Sequence, residues 1–547
     1  MMNQIRKIIF SPISLFLGIV VIGFLIYKKS LFFQVTYLDD NVWLLDYGWY
    51  LKNPSNIPHL FAQPDLITGI FYRPILNLSF MLNAIWAGSA PFLYHLTNII
   101  IHILNSWLIF VLLKKFRYPR NLSYACTLLF IVHPVLTQAV VWIPGRTDSL
   151  LALFIFLSFV CFIKFLESRQ NRYYLGTLLF FILAFLTKET TIVLPLLCVL
   201  YENFIFKSKR PYMKQFKAAL GWGIVVGALL WIRAGIVIDR KNYDLFYAIQ
   251  SFIENMPSLI SYVGKIFLPL NLSVLPIARD TTLLYGIITV VCLTAGLFFS
   301  KQKRMNYVWF GLCWFVLFLL PSFVFSFLNH EYRVYVPILG CLILMLEMDF
   351  IKGLGENNQK LIVFFGVLII LLANITFRHS DQFKDRFTFW GNAVETSPHS
   401  PLAHRNLGAM YHLEGSFDKA EVEYKKAGTL NAREPMIHNN LGLIYATRNK
   451  LVEAEEEYKL EMKINPLYDN VYYNAGLLYL RQKRFQEAEA AWKKTIELNP
   501  KYIDAYKQLA VYYLNQRNFM EAANYIQQLK KMGVQIPSSM LRAANIH

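Results

Sequence analysis

Charge is what this sequence has little of. Only 16% of its 547 residues are Asp, Glu, Lys or Arg, against about 25% in an average soluble domain. With 56% apolar residues and a mean hydropathy of +0.38, the deficit excludes a soluble enzyme, a secreted disulfide scaffold and a disordered chain. Cysteine is sparse as well. Cys126, Cys161, Cys198, Cys292, Cys313 and Cys341 all lie within or beside apolar segments, and no two have CxxC spacing. They read as packing residues, neither disulfides nor metal ligands. Missing too are a phosphate-loop GxxxxGK[ST], a GxGxxG, an HExxH and a GxSxG. ATP-driven transport, zinc hydrolysis and a serine nucleophile therefore find no support.

What the sequence has instead is apolar length. The first run, 8–27, follows Arg6 and Lys7 and precedes Lys28-Lys29, with no small-residue cleavage site after it. It reads as an uncleaved signal anchor. Further runs cover 93–113, 121–139, 148–165, 174–187, 190–206, 218–238, 281–300, 306–328, 334–350 and 361–377, about eleven spans in all. Runs of about 20 residues suffice to cross a ~30 Å hydrocarbon core. The linkers fall into two sets. Those at 114–120, 164–172, 207–217 and 301–304 are rich in Lys and Arg, which assigns them to the cytoplasm. The 28–74 loop, the 140–147 turn, Lys188-Glu189, the 239–280 region and HEYR at 330–333 alternate with them and fall outside. Of the net charge of +19, +15 belongs to residues 1–397 and +4 to 398–547. The excess thus reads as topology and not as a nucleic-acid surface. Residues 258–275 are apolar but broken by Pro269, with Pro276 just beyond; they read as a re-entrant or interfacial piece of the outer loop. Irregular backbone at that depth needs protein or water beside it, which suits a cavity wall. Eleven spans from a cytoplasmic N-terminus put the C-terminus outside.

The C-terminal region repeats itself every 34 residues. HRNLGAMY (404–411), HNNLGLIY (438–445), YYNAGLLY (472–479) and YKQLAVYY (506–513) share one register, as do Ala420, Ala454, Ala488 and Ala522. This period and its small and large positions are the tetratricopeptide pattern of paired helices. The expected organisation is a membrane domain over 1–378, a linker with half a repeat over 379–400, four repeats over 401–535 and a tail over 536–547. Such a solenoid leaves a concave groove suited to a polypeptide.

Ionisable residues near membrane depth are costly, so each is a candidate for function. Four groups stand out, all on the outer side: Asp39-Asp40; Arg73 in YRP; His133, Arg146 and Asp148 in the turn HPVLTQAVVWIPGRTDS; and Lys188-Glu189 together with Glu331 and Arg333 of HEYR. A carboxylate after the first span suits a general base on a hydroxyl, and equally a solvated helix cap. Asp148 has the place of a cap for the next helix. The arginines suit a bidentate phosphate contact, with snorkelling to lipid headgroups as the alternative for Arg333. Lys188 and Glu189 are placed to neutralise each other.

The order of these features, a DD pair after the first span, YRP, HPV…GRTD, KE, EYR and then tetratricopeptide repeats, resembles the transmembrane and tetratricopeptide-repeat-containing protein O-mannosyltransferases and their bacterial homologues. The resemblance covers nearly the whole chain. It implies an all-α chain with a polytopic GT-C glycosyltransferase fold, followed by the repeat solenoid. It implies inverting transfer of a sugar from a polyprenyl-phosphate carrier to a Ser/Thr hydroxyl of an extracytoplasmic protein, with no obligatory cofactor; the paired Asp leave room for a divalent metal, though none is expected. By that match Asp39 is the first choice for the base and Asp40 the second, while Arg333, with Lys188 and Arg146, holds the carrier phosphate. Animal members carry more repeats than the four here, which points to a bacterial inner membrane, or to the endoplasmic reticulum with luminal repeats in a eukaryote. Two other readings stand beside it: an enzyme of the same fold acting on a glycan or lipid, and a membrane anchor whose repeats recruit a partner. The bilayer and a lipid-linked sugar are the expected partners, nucleic acid is not.

Overall fold

The computed structural model describes residues 11–67, 69–207, 212–237, 245–324 and 330–544, without the side chains of 212–218, 245, 247 and 543. Arg6 and Lys7, the start of the first apolar run, the middle of the 207–217 linker, the beginning of the 239–280 region and the end of the 306–328 run lie outside the described residues. Among the described residues every element is helical and there is no strand. The chain forms two compact units, Met1–Ser397 and Pro398–His547.

In the first unit, seven helices among the described residues are long and apolar enough to cross a bilayer: Pro12–Phe32, Phe92–Lys115, Ile143–Ser168, Glu189–Phe206, Ala219–Ile236, Met305–Val324 and Asn358–Phe383. An eighth results if Arg120–Ile131 and Pro134–Val141, bent by 49°, make one broken span. The expected eleven is not reached by helix length. The runs at 174–187, 281–300 and 334–350 correspond to the shorter helices Asn171–Phe185, Leu284–Phe299 and Ile338–Leu346. Proline is one local cause. Pro134 and Pro337 cannot donate to a preceding turn, so a new helical segment begins at each. Glycines bring the Met305–Leu319 and Ile338–Leu346 helices into backbone contact, since a Cβ on Gly340 would collide with the Gly311 carbonyl. Several buried polar groups of this bundle pair across helices, as a site without water demands. His102 meets the Tyr335 hydroxyl at 2.6 Å, and Asn105 donates to the Ser149 carbonyl at 2.7 Å.

The linkers gather at two opposite ends. At one, Lys115 pairs with Glu167, Arg304 donates to Glu347 and to the Phe116 carbonyl, Asn306 donates to the Phe204 carbonyl and Asn121 to the Gly355 carbonyl. This end therefore collects the basic linkers. At the other, Lys29 pairs with Asp381 at 2.8 Å, the Gln34 N–H donates to the Lys384 carbonyl, and the Trp390 indole to the Thr36 carbonyl. The Asn358–Ser380 helix runs from the first end to the second. The 387–398 segment, expected as half a repeat, forms the helix Arg386–Thr396, closed by a capping box of Asp385 and Thr388. It packs within the first unit at the second end, where Ser397 donates to the Leu275 carbonyl.

In the second unit the four repeats are the helix pairs Pro401–Leu413 with Phe417–Leu430, Ile437–Thr447 with Leu451–Ile464, Asp469–Arg481 with Phe485–Leu498, and Ile503–Asn515 with Phe519–Lys531. Their period has a steric cause. Gly408, Gly442 and Gly476 each face a large ring of the paired helix, Tyr424, Tyr458 and Trp492, which a Cβ would overlap. In the fourth repeat the first position grows to Ala510 and the second becomes Ile526, both fully buried. The summed volume is roughly conserved, as close packing demands.

Candidate functional site

The second end of the first unit encloses a cavity of about 570 Å³. The Pro12–Phe32 span delivers the 28–74 loop to one wall, the turn before the Arg146–Ser168 helix makes the next, and residues 188–190, where the chain passes from the Asn171–Phe185 helix into the Glu189–Val193 turn, make a third. Leu230 and Arg233 of the Ala219–Ile236 span and the 330–333 segment close it. Gly145 makes the second wall possible, because any Cβ there would strike the Gln138 carbonyl and Ala139.

Asp39, Arg73, Asp148, Lys188, Glu189 and Arg333 all line this cavity. Residues separated by up to 294 positions in sequence thus share one chamber. Asp40, His133, Arg146 and Glu331 do not line it. The buried Asp40 carboxylate turns back into its own loop and accepts from the Thr36 amide at 2.6 Å, the Thr36 hydroxyl at 2.9 Å and the Asn41 amide at 3.0 Å. His133 meets the Ile266 carbonyl at 2.7 Å. Arg146 is completely buried, donates to the Asn98 side chain and to the Ser79 and Tyr94 carbonyls, and stacks on Phe80. Glu331 accepts from Lys265 at 2.8 Å and from the Ser273 amide at 2.9 Å, tying the 258–280 region to the site. These four brace the chamber from behind.

Within the cavity the charges are only partly matched. Lys188 and Glu189 do not neutralise each other, as the sequence led one to expect. The extended backbone at Lys188 sends the two side chains apart. Lys188 donates to both oxygens of Asp148 at 2.8 Å, while Glu189 receives Arg73 at 3.1 Å. Asp148 thus carries the lysine while standing in the first turn of its helix. Arg333 makes no ion pair with a carboxylate among the described residues, and its buried Nη1 has no hydrogen-bond partner there. The half-buried Asp39 carboxylate accepts no hydrogen bond from the described residues. Its backbone sits in the left-handed region, at a φ of 67°, which for a residue other than glycine marks local strain held by its surroundings. Burial, and then the negative Asp65 nearby, push the Asp39 carboxyl up to about 6, against the pull of Arg73. A carboxylate so placed is a competent base near neutral pH.

Five further residues of the wall escaped the sequence reading: Asp65, Asn77, Trp142, Arg233 and Tyr332. Tyr332 stacks between Trp142, 5.9 Å away, and His330, 4.8 Å away. The buried Trp142 indole N–H has no partner among the described residues. Asn77 accepts from Trp43 at 3.3 Å. Aromatic faces beside polar groups suit a sugar ring. Arg233 had a legible signal, an arginine inside an apolar run; Asp65 and Asn77 had none. Among the described residues no group of three or more His, Cys, Asp or Glu is placed to hold a metal ion.

Residues 76–233 match the family model described as dolichyl-phosphate-mannose-protein mannosyltransferase. Residues 470–502 and 491–523 match tetratricopeptide-repeat models. Human protein O-mannosyl-transferase TMTC1 is 25% identical over 491 residues, covering 75% of this chain and 54% of that one. A Caenorhabditis elegans protein O-mannosyl-transferase is 23% identical, covering 65% and 53%. Drosophila melanogaster Tmtc1 is 33% identical over 131 residues, 24% of this chain and 15% of that one. The chain thus spans at most about half the length of these relatives. The expected resemblance to the transmembrane and tetratricopeptide-repeat O-mannosyltransferases is borne out, and so is the all-α plan of a polytopic membrane domain followed by tetratricopeptide repeats. The chain is an integral membrane protein.

Proposed function

We propose that the membrane unit transfers a sugar from a polyprenyl-phosphate-linked donor to a Ser/Thr hydroxyl of an extracytoplasmic protein, with inversion at the sugar. The observation that carries this reading is the convergence on one chamber of a carboxylate with no partner among the described residues, Asp39, and of cations not fully matched there by carboxylates. Asp39 takes the proton from the acceptor hydroxyl. The hydroxyl oxygen forms its bond to the anomeric carbon from the face opposite the phosphate. The bond from that carbon to the phosphate oxygen breaks, and its electron pair leaves on the lipid phosphate. Arg333 and Lys188 offset the charge that gathers there. The apolar wall, Phe71, Phe185 and Ile192 among it, limits water and so hydrolysis of the donor. No residue in this scheme requires a metal ion.

The proposal extends to sidedness. The basic linkers meet at one end of the unit and the cavity opens at the other, so the positive-inside rule puts the cavity on the extracytoplasmic side. Ser397, the last residue of the first unit, belongs to the cavity end, and the repeats therefore follow on that side. There they bind the acceptor polypeptide or a partner. In a bacterium the membrane is the inner one; in a eukaryote it is that of the endoplasmic reticulum.

The test supplies full-length protein in membranes with polyprenyl-phosphate-linked hexose and Ser/Thr-containing polypeptides. Hexose-sized mass additions on the polypeptide, absent from membranes without the protein, are expected. Transfer to a glycan or lipid in place of the polypeptide overturns the assigned acceptor.

A further inference from the structure

We infer that Arg233 is the residue that receives the phosphate of a lipid carrier at a lateral mouth of the cavity, and passes it to Arg333. The inference rests on the proposed reading of the site but assigns a residue and a route beyond it. Arg233 stands in the last turn of the Ala219–Ile236 span. A guanidinium in such a span is costly and ordinarily extends along the lipid face until its head is solvated. This one does not. Arg233 lines the cavity together with Arg333, and its Nε is buried with no hydrogen-bond partner among the described residues.

The surrounding helix faces lipid. Trp231 is 80% exposed, and Leu230, one turn before Arg233, lines the cavity while remaining 41% exposed. Ile192 on the Glu189–Phe206 span also lines it and is 40% exposed. Two apolar residues that belong both to the chamber and to the outer surface mark a place where the wall opens sideways to the acyl chains. An anionic head attached to a long apolar chain fits that mouth: the chain stays among the lipids beside Leu230 and Ile192, and the phosphate meets Arg233 on entry. Two guanidinium groups without carboxylate partners among the described residues then face a ligand that brings its own negative charge, the arrangement in which charge-assisted hydrogen bonds are strongest. A water-soluble sugar phosphate has no use for such an opening.

The experiment measures binding of a fluorescent polyprenyl monophosphate to the full-length protein in nanodiscs of zwitterionic lipid, and separately the transfer kinetics. Arg233→Ala is expected to weaken binding at least tenfold, to raise the donor KM in proportion and to leave the acceptor KM unchanged. Arg233→Lys should restore part of the loss. Leu230→Trp should slow loading of the long-chain probe more than that of a short-chain one. The helix is exposed enough for these variants to fold, which thermal melting in nanodiscs checks. Binding by Arg233→Ala within twofold of wild type overturns the inference, and so does complete displacement of the probe by an equal mole fraction of anionic phospholipid, which marks a headgroup site. If the probe binds in an Arg233-dependent way but no sugar is transferred, the transferase reading fails while the lipid site stands.

Discussion

The membrane unit has a charged cluster at each end, and the two are built from the same residue types to opposite effect. At the basic end the buried Glu347 receives Arg304 at 2.9 Å, Lys352 at 3.0 Å and the Tyr118 hydroxyl at 2.8 Å. Arg304 further stacks on Tyr307 and Tyr118. Glu347, Arg304 and Lys352 are thus matched among themselves, and none of them lines the cavity of about 570 Å³. At the other end Arg73 with Glu189 and Lys188 with Asp148 form equally close pairs. Yet Asp39, Arg233 and Arg333 have no carboxylate or cation in salt-bridge contact among the described residues, and the space between is open. A buried charge left unmatched is expensive, so a matched cluster is explained by the fold alone. An unmatched one around a cavity is explained by something that comes and goes.

Substitutions at the two ends should therefore fail in different ways. The largest effect is expected at Asp39. Asp39→Asn should lower kcat by about 10³-fold, within the range of a lost general base, with melting above about pH 6 not lowered, since the variant no longer buries an ionised carboxylate. Asp40→Asn should do the reverse. Its carboxylate serves the Thr36 and Asn41 amides, so stability falls by about 1–2 kcal/mol while kcat changes only a few-fold. Kinetics and thermal unfolding of the two variants decide between the neighbours.

Next is Glu347→Ala at the basic end. It leaves Arg304 and Lys352 facing a void and should cost about 3 kcal/mol of stability, read by denaturation, with the donor KM of the remaining folded protein unaltered. Arg333→Ala at the cavity end should leave stability nearly unchanged and raise the donor KM about tenfold, the loss of roughly one charge-assisted hydrogen bond. If the two variants behave alike, the contrast between the ends collapses.

The smallest effect concerns pH. The Asp39 carboxyl is raised from 3.8 to about 6 by burial and then by Asp65. Activity should therefore climb as pH rises through about 6, where the base loses its proton. Stability has the opposite sign. Between 3.8 and about 6 the folded chain holds a proton that the unfolded chain has released, so stability falls as pH rises across that window. Asp65→Asn removes the negative neighbour, and the rising limb of the pH–rate profile should move to lower pH. An unmoved limb would separate Asp65 from the base.

Much of the architecture was legible in the residues because it depends on short-range regularities. The 34-residue period names its own packing partners, as Gly442 against Tyr458 illustrates. The apolar runs announce helices wherever no proline intervenes. Span count was less legible, because a run of apolar residues does not say where Pro134 or Pro337 restarts the helix. In the site, residue type pointed to charged groups but not to their direction. Asp39 and Asp40 are adjacent and chemically identical, yet one faces a cavity and the other its own loop. Arg146 looked like a phosphate ligand and is a brace between backbone carbonyls.

The sequence by itself determined that the chain is a helical membrane protein with a repeat unit, that its basic linkers alternate with linkers not enriched in Lys and Arg, and which motifs carry ionisable groups. Hydropathy and period are sums over neighbours along the chain, and need no knowledge of what folds against what. Only the tertiary structure decided which charges meet: Lys188 with Asp148 and not with Glu189, and Arg233 with the chamber and not with lipid alone. Direction and pairing depend on groups brought together from distant parts of the chain, and in a low-dielectric interior that company decides whether a charge holds the fold or waits for a ligand.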